Sequence, residues 1–229
     1  MRWEMRSMKS RIFICGVLLL TVLTCISLWS CGKESEGAES AESETWATTE
    51  KSYEDMEISA YVAAVSYKGV KYTLDSNELS KEQVLWDSLL RNAQVTAYPE
   101  DMVEYFFSQT KAAYMYLVDG DEEAYLMLLE SRGTDESKMR EEAREIVKKD
   151  LVFWYIVQAE GITVTEEEKQ THFDKYVDKF VSDYGYSRDY VKSDMADEIY
   201  ESMLYDKTLE YLFSVNTFEY VTVSETAGN

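Results

Sequence analysis

The sequence predicts a mainly α fold, and three observations carry that expectation. One proline and nine glycines in 229 residues suit helices better than a turn-rich β-sandwich. From Ser80 onward, apolar residues recur at helical spacing in one stretch after another. Cap-forming residues open several of these stretches, and glycines close several of them.

The elements follow in chain order. Arg2, Arg6, Lys9 and Arg11 form a positive segment ahead of the apolar run IFICGVLLLTVLTCISLWS, and no further charge appears before Lys33. Leu28-Trp29-Ser30 ahead of Cys31-Gly32 has the form of a bacterial lipoprotein signal over residues 1–30, with Cys31 the lipidated residue. Cys25 is a competing site, and an uncleaved transmembrane anchor is the alternative reading of the run. Cleavage before Cys31 removes four basic residues and Glu4, a net +3, taking the chain from −21 to −24. It also removes Cys15 and Cys25, so the exported part is expected to hold neither a disulfide nor thiol chemistry. Residues 31–55 are rich in Glu, Ser, Ala and Thr and read as a solvated tether.

Residues 56–97 begin with β-branched and aromatic residues around Lys68-Gly69. Over 58–74 these predict a short hairpin or one extended strand, with a helix through Ile58 to Val65 as the alternative. SKEQVLWDSLLRNA then predicts a helix carrying Val84, Leu85, Leu89 and Leu90, with Trp86 beside them and Ser80 as its cap. Pro99 lacks an N–H and has a helical φ, so it is placed in the first turn of the next helix, with Glu100 and Asp101 at the positive end of the dipole. Asp119-Gly120-Asp121 breaks that helix, and EEAYLMLLES forms a short one ended by Gly133. A long helix follows with Met139, Ala143, Ile146, Val147, Leu151, Trp154 and Val157 on its face and Gly161 at its end. Thr165 to Glu168 reads as a capping box ahead of Phe173, Tyr176, Val177, Phe180 and Tyr184, stopped by Gly185. Ser187 to Asp194 is a short helix or turn. A last helix carries Ile199, Met203, Leu204, Tyr211, Leu212 and Val215, which bounds a helical domain at 98–215 and leaves 216–229 as a tail.

Composition and motifs exclude several functions. With 44 acidic against 23 basic residues the chain repels phosphate backbones, so nucleic acid is not an expected partner. His172 is the only histidine and sits beside the apolar stripe among polar residues, which leaves no basis for zinc. No G-x-S-x-G, Walker A or G-x-G-x-x-G pattern occurs, and Asp119 to Glu123 lacks the ligand spacing of a calcium loop. No cofactor is expected and no residue is singled out as catalytic.

The aromatic and methionine content is distinctive. Tyr105, Phe106, Phe107, Tyr114, Met115, Tyr116, Tyr125 and Met127 cover more than one helix face, and Trp154 lies on a later helix. Two readings stand: a helix buried on two sides, or an adaptable surface for apolar polypeptide segments.

VTAYPEDMVEY, LVFWYIVQAEGITVTEEE, the turn DYGY and the helix YDKTLEYL, in that order, resemble the C-terminal, SurA-like helical domain of trigger factor from Tyr98 to about Phe213. The resemblance implies multi-helix arms and chaperone-like binding of unfolded or nascent exported polypeptides. The Gly-Phe-Arg ribosome-docking loop of that family is absent, so no ribosome contact is expected. SYKGVKYTLDSNELSKEQVLWDSLLRNAQVTAY resembles the family's segment leading into its FKBP-type isomerase domain, yet the chain passes directly to Pro99. The expected protein is therefore a non-catalytic, chaperone-like lipoprotein on the extracytoplasmic face of a bacterial cell membrane. The alternatives are an interaction protein with one dedicated envelope partner, or a residual prolyl isomerase.

Overall fold

The computed structural model describes residues 52–75 and 80–221. The segment expected to be a signal, Cys31 and most of the expected tether lie outside the described residues. Two compact units divide the described chain, the first from 52–57 and 98–148, the second from 58–97 and 149–221. The fold is mainly α, with a few short strands.

The first unit contains α2 (Glu100–Tyr116), α3 (Glu122–Ser131) and the N-terminal half of α4 (Glu136–Glu160), numbered after α1 (Lys81–Asn92) of the second unit. Pro99 stands one position earlier than expected, as the N-cap of α2 rather than within its first turn. Its φ of −67° with an extended ψ lets its carbonyl accept from the N–H groups of Met102 and Val103. Val103 and Phe107, one helical turn apart, face the core, as do Tyr125 and Leu129 of α3 and Met139, Ala143 and Val147 of α4. Three ion pairs link α2 to α4: Glu104 with Arg140, Glu100 with Arg144 at 3.7 Å, and Lys111 with Glu136 at 2.7 Å. The Arg140 guanidinium also lies 4.1 Å from the Phe107 ring centroid, covering the outer side of the core.

The second unit holds α1 (Lys81–Asn92), the remainder of α4, α5 (Glu166–Tyr184), α6 (Arg188–Asp194) and α7 (Ala196–Val215). Ser80 caps α1 by accepting from Gln83 N–H at 3.1 Å. The capping box of α5 is complete, Thr165 Oγ1 accepting from Glu168 N–H while the Glu168 carboxylate accepts from Thr165 N–H. Gly185 ends α5 at a φ of +74°, where any side chain would be strained.

Strands are present over 58–74 as expected, but their pairing differs from the expected hairpin. β1 (Val62–Ala64) and β2 (Lys71–Asp75) do not form a hairpin with each other. β1 pairs antiparallel with β3 (Gln94–Val95), and β2 pairs parallel with β4 (Thr217–Val221), Lys71 opposite Thr217. The segment expected to be a tail after Val215 thus begins with a strand. Asn216 explains the pairing. Its Oδ1 accepts from Val70 N–H at 2.8 Å, and its Nδ2 donates to the carbonyls of Tyr67 and Leu212 at 2.9 and 2.8 Å. One side chain therefore ties the Tyr67–Val70 turn to the end of α7 and sets the register. Asn216→Ala orphans these half-buried groups, and a loss of about 2 kcal/mol is expected in urea denaturation.

Burial also shifts from the expected stripes. On α4 the second half buries Leu151, Val152, Phe153, Ile156 and Val157, while Ile146 and Trp154 are only half-buried. On α7, Tyr205, Thr208 and Leu209 are buried, whereas Leu204, Tyr211 and Val215 are half-buried. Consecutive buried residues show that these segments are covered on more than one side, where a single-stripe count fails. At the centre Trp86 stacks on Tyr205 at 5.9 Å and lies 6.4 Å from Phe153. The Tyr205 hydroxyl donates to Glu82 at 2.7 Å, and burial, then this bond, push its pKa up.

Candidate functional site

Among the described residues, the α2–α3 hairpin of the first unit carries four of the five large, exposed apolar side chains. In the turn after α2, Asp119 lies in the left-handed region at φ +52°, and the N–H of Gly120 returns to the Met115 carbonyl at 2.9 Å. Asp121 then caps α3, its Oδ1 accepting from Ala124 N–H at 2.9 Å. This short connection holds the α2 end beside the α3 start.

On α3 the inward direction is set by Tyr125 and Leu129, one turn apart and both buried. The Tyr125 hydroxyl donates to Glu136 at 3.2 Å, and burial followed by the Glu136 charge pushes its pKa up to about 12. Lys111 pairs with the same carboxylate and holds the Glu136 pKa below its ordinary value. With Tyr125 anchored inward, the helical advance of about 100° per residue turns Leu126 and Met127 outward. They are 60% and 65% exposed, and Tyr116 and Leu117 at the end of α2 are 47% and 59% exposed. Among the described residues only Tyr220 joins these four as a large, exposed apolar side chain, so such surface is concentrated on this hairpin.

Acidic groups surround it. Asp119, Asp121, Glu122, Glu123 and Glu130 are all exposed. The nearby cations are engaged, Lys111 with Glu136 and Arg132 over the Tyr114 ring at 5.2 Å.

The aromatic and methionine residues singled out in the sequence divide by burial. Phe107 and Tyr125 are core side chains. Tyr105, Phe106, Tyr114 and Met115 are half-buried, and Tyr105 packs edge-on against Phe106 at 5.4 Å. Tyr116 and Met127 are exposed. Trp154 belongs to the second unit, half-buried and edge-on to Phe153 at 5.5 Å. Leu126 carries a signal that the choice of rings and sulfur passed over, being an aliphatic residue off the Tyr125 and Leu129 stripe. Leu117 falls on the Val103 face by helical spacing, yet it is exposed because α2 ends at Tyr116 and Leu117 is its C-cap.

The second unit contains a different polar cluster that no spacing rule could find, since its members lie 93 and 51 residues apart in the chain. Glu160, at the end of α4, accepts from Tyr67 Oη at 2.5 Å, from Tyr211 Oη, and from Lys68 Nζ at 2.7 Å. The Lys68 bond, then those from Tyr211 and Tyr67, lower the Glu160 pKa from the ordinary 4.5 to about 2. Burial and the bond to Glu160 raise that of Tyr67. The carboxylate is thus a fixed acceptor joining three elements, poorly suited to proton transfer near neutrality. Because its folded pKa is depressed, its contribution is fully present above pH 4.5 and is lost as pH falls towards 2. Acid titration of thermal stability is expected to show a shallower decline over that interval for Glu160→Gln than for the native chain.

Among the described residues no group of three or more His, Cys, Asp and Glu side chains is arranged to hold a metal ion. His172 is exposed on α5. No described helix is long and apolar enough to cross a membrane.

Comparison with known proteins identifies one family model, described as the bacterial trigger factor protein (TF) C-terminus, matching residues 71–214. The match runs from β2 to the end of α7 and so begins ahead of Tyr98. No curated protein and no solved structure matches the chain.

Proposed function

Because the chain belongs to the trigger factor C-terminal family, we propose that it is a membrane-tethered, non-catalytic chaperone that holds unfolded or newly exported polypeptides. Membership of the family supports a chaperone-like role and the binding of polypeptide substrates in general. Tethering rests on the lipoprotein-type signal before Cys31. The client surface in this reading is the α2–α3 hairpin, and the observation that carries it is the concentration there of Tyr116, Leu117, Leu126 and Met127.

The physical case is direct. Leucine and methionine side chains adapt to varied apolar segments, and tyrosine adds a polar edge that tolerates water. The surrounding carboxylates keep a loaded complex soluble by like-charge repulsion. Weak, non-directional contacts of this kind suit many clients rather than one.

The test is aggregation of a reduced, unfolded client followed by light scattering while the protein is titrated. Suppression that saturates at modest excess supports a holdase, and unchanged aggregation at large excess rejects it. Prolyl isomerisation of a short peptide is expected to proceed at the uncatalysed rate. A single tight partner recovered from envelope extracts, with no client suppression, would instead favour a dedicated docking protein.

A further inference from the structure

A row of rings crosses the α5–α6 turn of the second unit. Phe180 meets Tyr184 edge-on at 5.6 Å, Tyr184 stacks with Tyr186 at 6.2 Å, and Tyr186 meets Tyr190 at 5.4 Å. Phe180 is buried and roots the row, while the three tyrosines are partly exposed. Gly185 makes the turn that sets Tyr184 and Tyr186 side by side, and the Ser187 cap starts α6 so that Tyr190 comes next in line.

The polar groups around this row are unevenly satisfied. Arg188 pairs with Asp178 and, at 3.2 Å, with Asp174, and Lys192 pairs with Asp174 at 2.7 Å. Those cations are therefore engaged by α5. Asp183, Asp189 and Asp194 are exposed and make no ion pair among the described residues. The hydroxyls of Tyr186 and Tyr190 likewise have no hydrogen-bond partner among the described residues. Burial, then Tyr186, Asp194 and Glu198, raise the pKa of Tyr190, which places two carboxylates close to that ring and keeps the phenol a neutral donor.

We propose that the Tyr184–Tyr186–Tyr190 row, flanked by Asp183, Asp189 and Asp194, is a docking surface for proline-containing, cationic polypeptide segments in the polyproline II conformation. Such a segment has no internal hydrogen bonds, so its carbonyls are available to the donors of Tyr186 and Tyr190. Its pyrrolidine rings pack on the outer faces of these contiguous rings, and a preformed polyproline helix docks on aromatic surface at low entropic cost. These exposed carboxylates, of which Asp194 also accepts from Ser193 Oγ, take the lysines or arginines of the segment, which fixes the sign of its charge. This surface lies in a different unit from the α2–α3 hairpin and does not depend on that hairpin binding clients.

Fluorescence anisotropy with a labelled peptide that alternates proline with arginine tests the assignment on the full chain. Saturable binding is expected, weakened about tenfold when every proline is replaced by alanine at constant charge. Tyr186→Ala with Tyr190→Ala should weaken it by a similar factor, and Tyr186→Phe with Tyr190→Phe by about threefold, through loss of the two donors. Equal affinity for the alanine peptide, or native affinity in the double alanine variant, would overturn the proposal. Failure of the peptide to bind while client aggregation is still suppressed sinks this inference and leaves the chaperone reading standing. Binding of the peptide without client suppression does the reverse.

Discussion

Replacing Trp86 by alanine is expected to lower stability by about 3–5 kcal/mol, the largest effect of any single substitution considered. Trp86 is 1% exposed and stands between the Tyr205 and Phe153 rings, so its removal opens a cavity that two large neighbours cannot easily fill. It also strips Tyr205 of its stacking partner while Glu82 still holds the hydroxyl, which hinders collapse into the space. Urea denaturation followed by far-ultraviolet circular dichroism checks the loss. Trp154→Ala is the control, since a half-buried indole should cost distinctly less. Equal losses for the two tryptophans would show that Trp86 is not the centre of the second unit.

The second large effect is on binding. Leu126→Ser with Met127→Ser should weaken capture of an unfolded client about tenfold or more, equivalent to about 1.4 kcal/mol or above. Stability should stay within about 0.5 kcal/mol of the native value, because both side chains face solvent. Phe107→Ala and Tyr125→Ala should show the opposite signature: they remove core side chains, so the first loss is in unfolding free energy. Measuring client suppression and urea midpoints on the same variants separates the two. If the serine variant suppresses aggregation as well as the native chain, the α2–α3 hairpin is not the client surface.

These contrasts show where sequence reasoning reaches and where it stops. Helix ends were legible because their causes are local. Ser80, Asp121 and Thr165 cap the residues that immediately follow them, and Gly185 stops its helix by a φ that only its own backbone decides. The existence of the α2–α3 break was legible for the same reason. Which residues of that hairpin meet water was less so. Tyr125 and Met127 look alike as large apolar residues in a short helix, and only the position of Glu136 and Met139 on α4 decides that Tyr125 turns inward.

The strands mark the sharper limit. The β character of Lys71 to Asp75 can be read from its alternation, with Tyr72 and Leu74 buried and Lys71 and Thr73 exposed. Its partner cannot, because Thr217–Val221 lies at the far end of the chain and is brought alongside by the path of α7 and the three bonds of Asn216. A hairpin around Gly69 satisfies the local turn rules, yet the Gly69 N–H donates to Val215 instead. The Glu160 cluster is of the same kind, since its donors come from opposite ends of the second unit's sequence.

The sequence by itself determined the helices, their caps, the family and the acidic character of the chain, all of which follow from short-range spacing or from composition. Tertiary structure alone decided strand pairing, which aromatic residues became core and which stayed on the surface, and where the carboxylates found their donors. The reason is physical: capping and periodicity act over a few residues, whereas burial and hydrogen-bond partnership depend on what the rest of the chain places against each side chain.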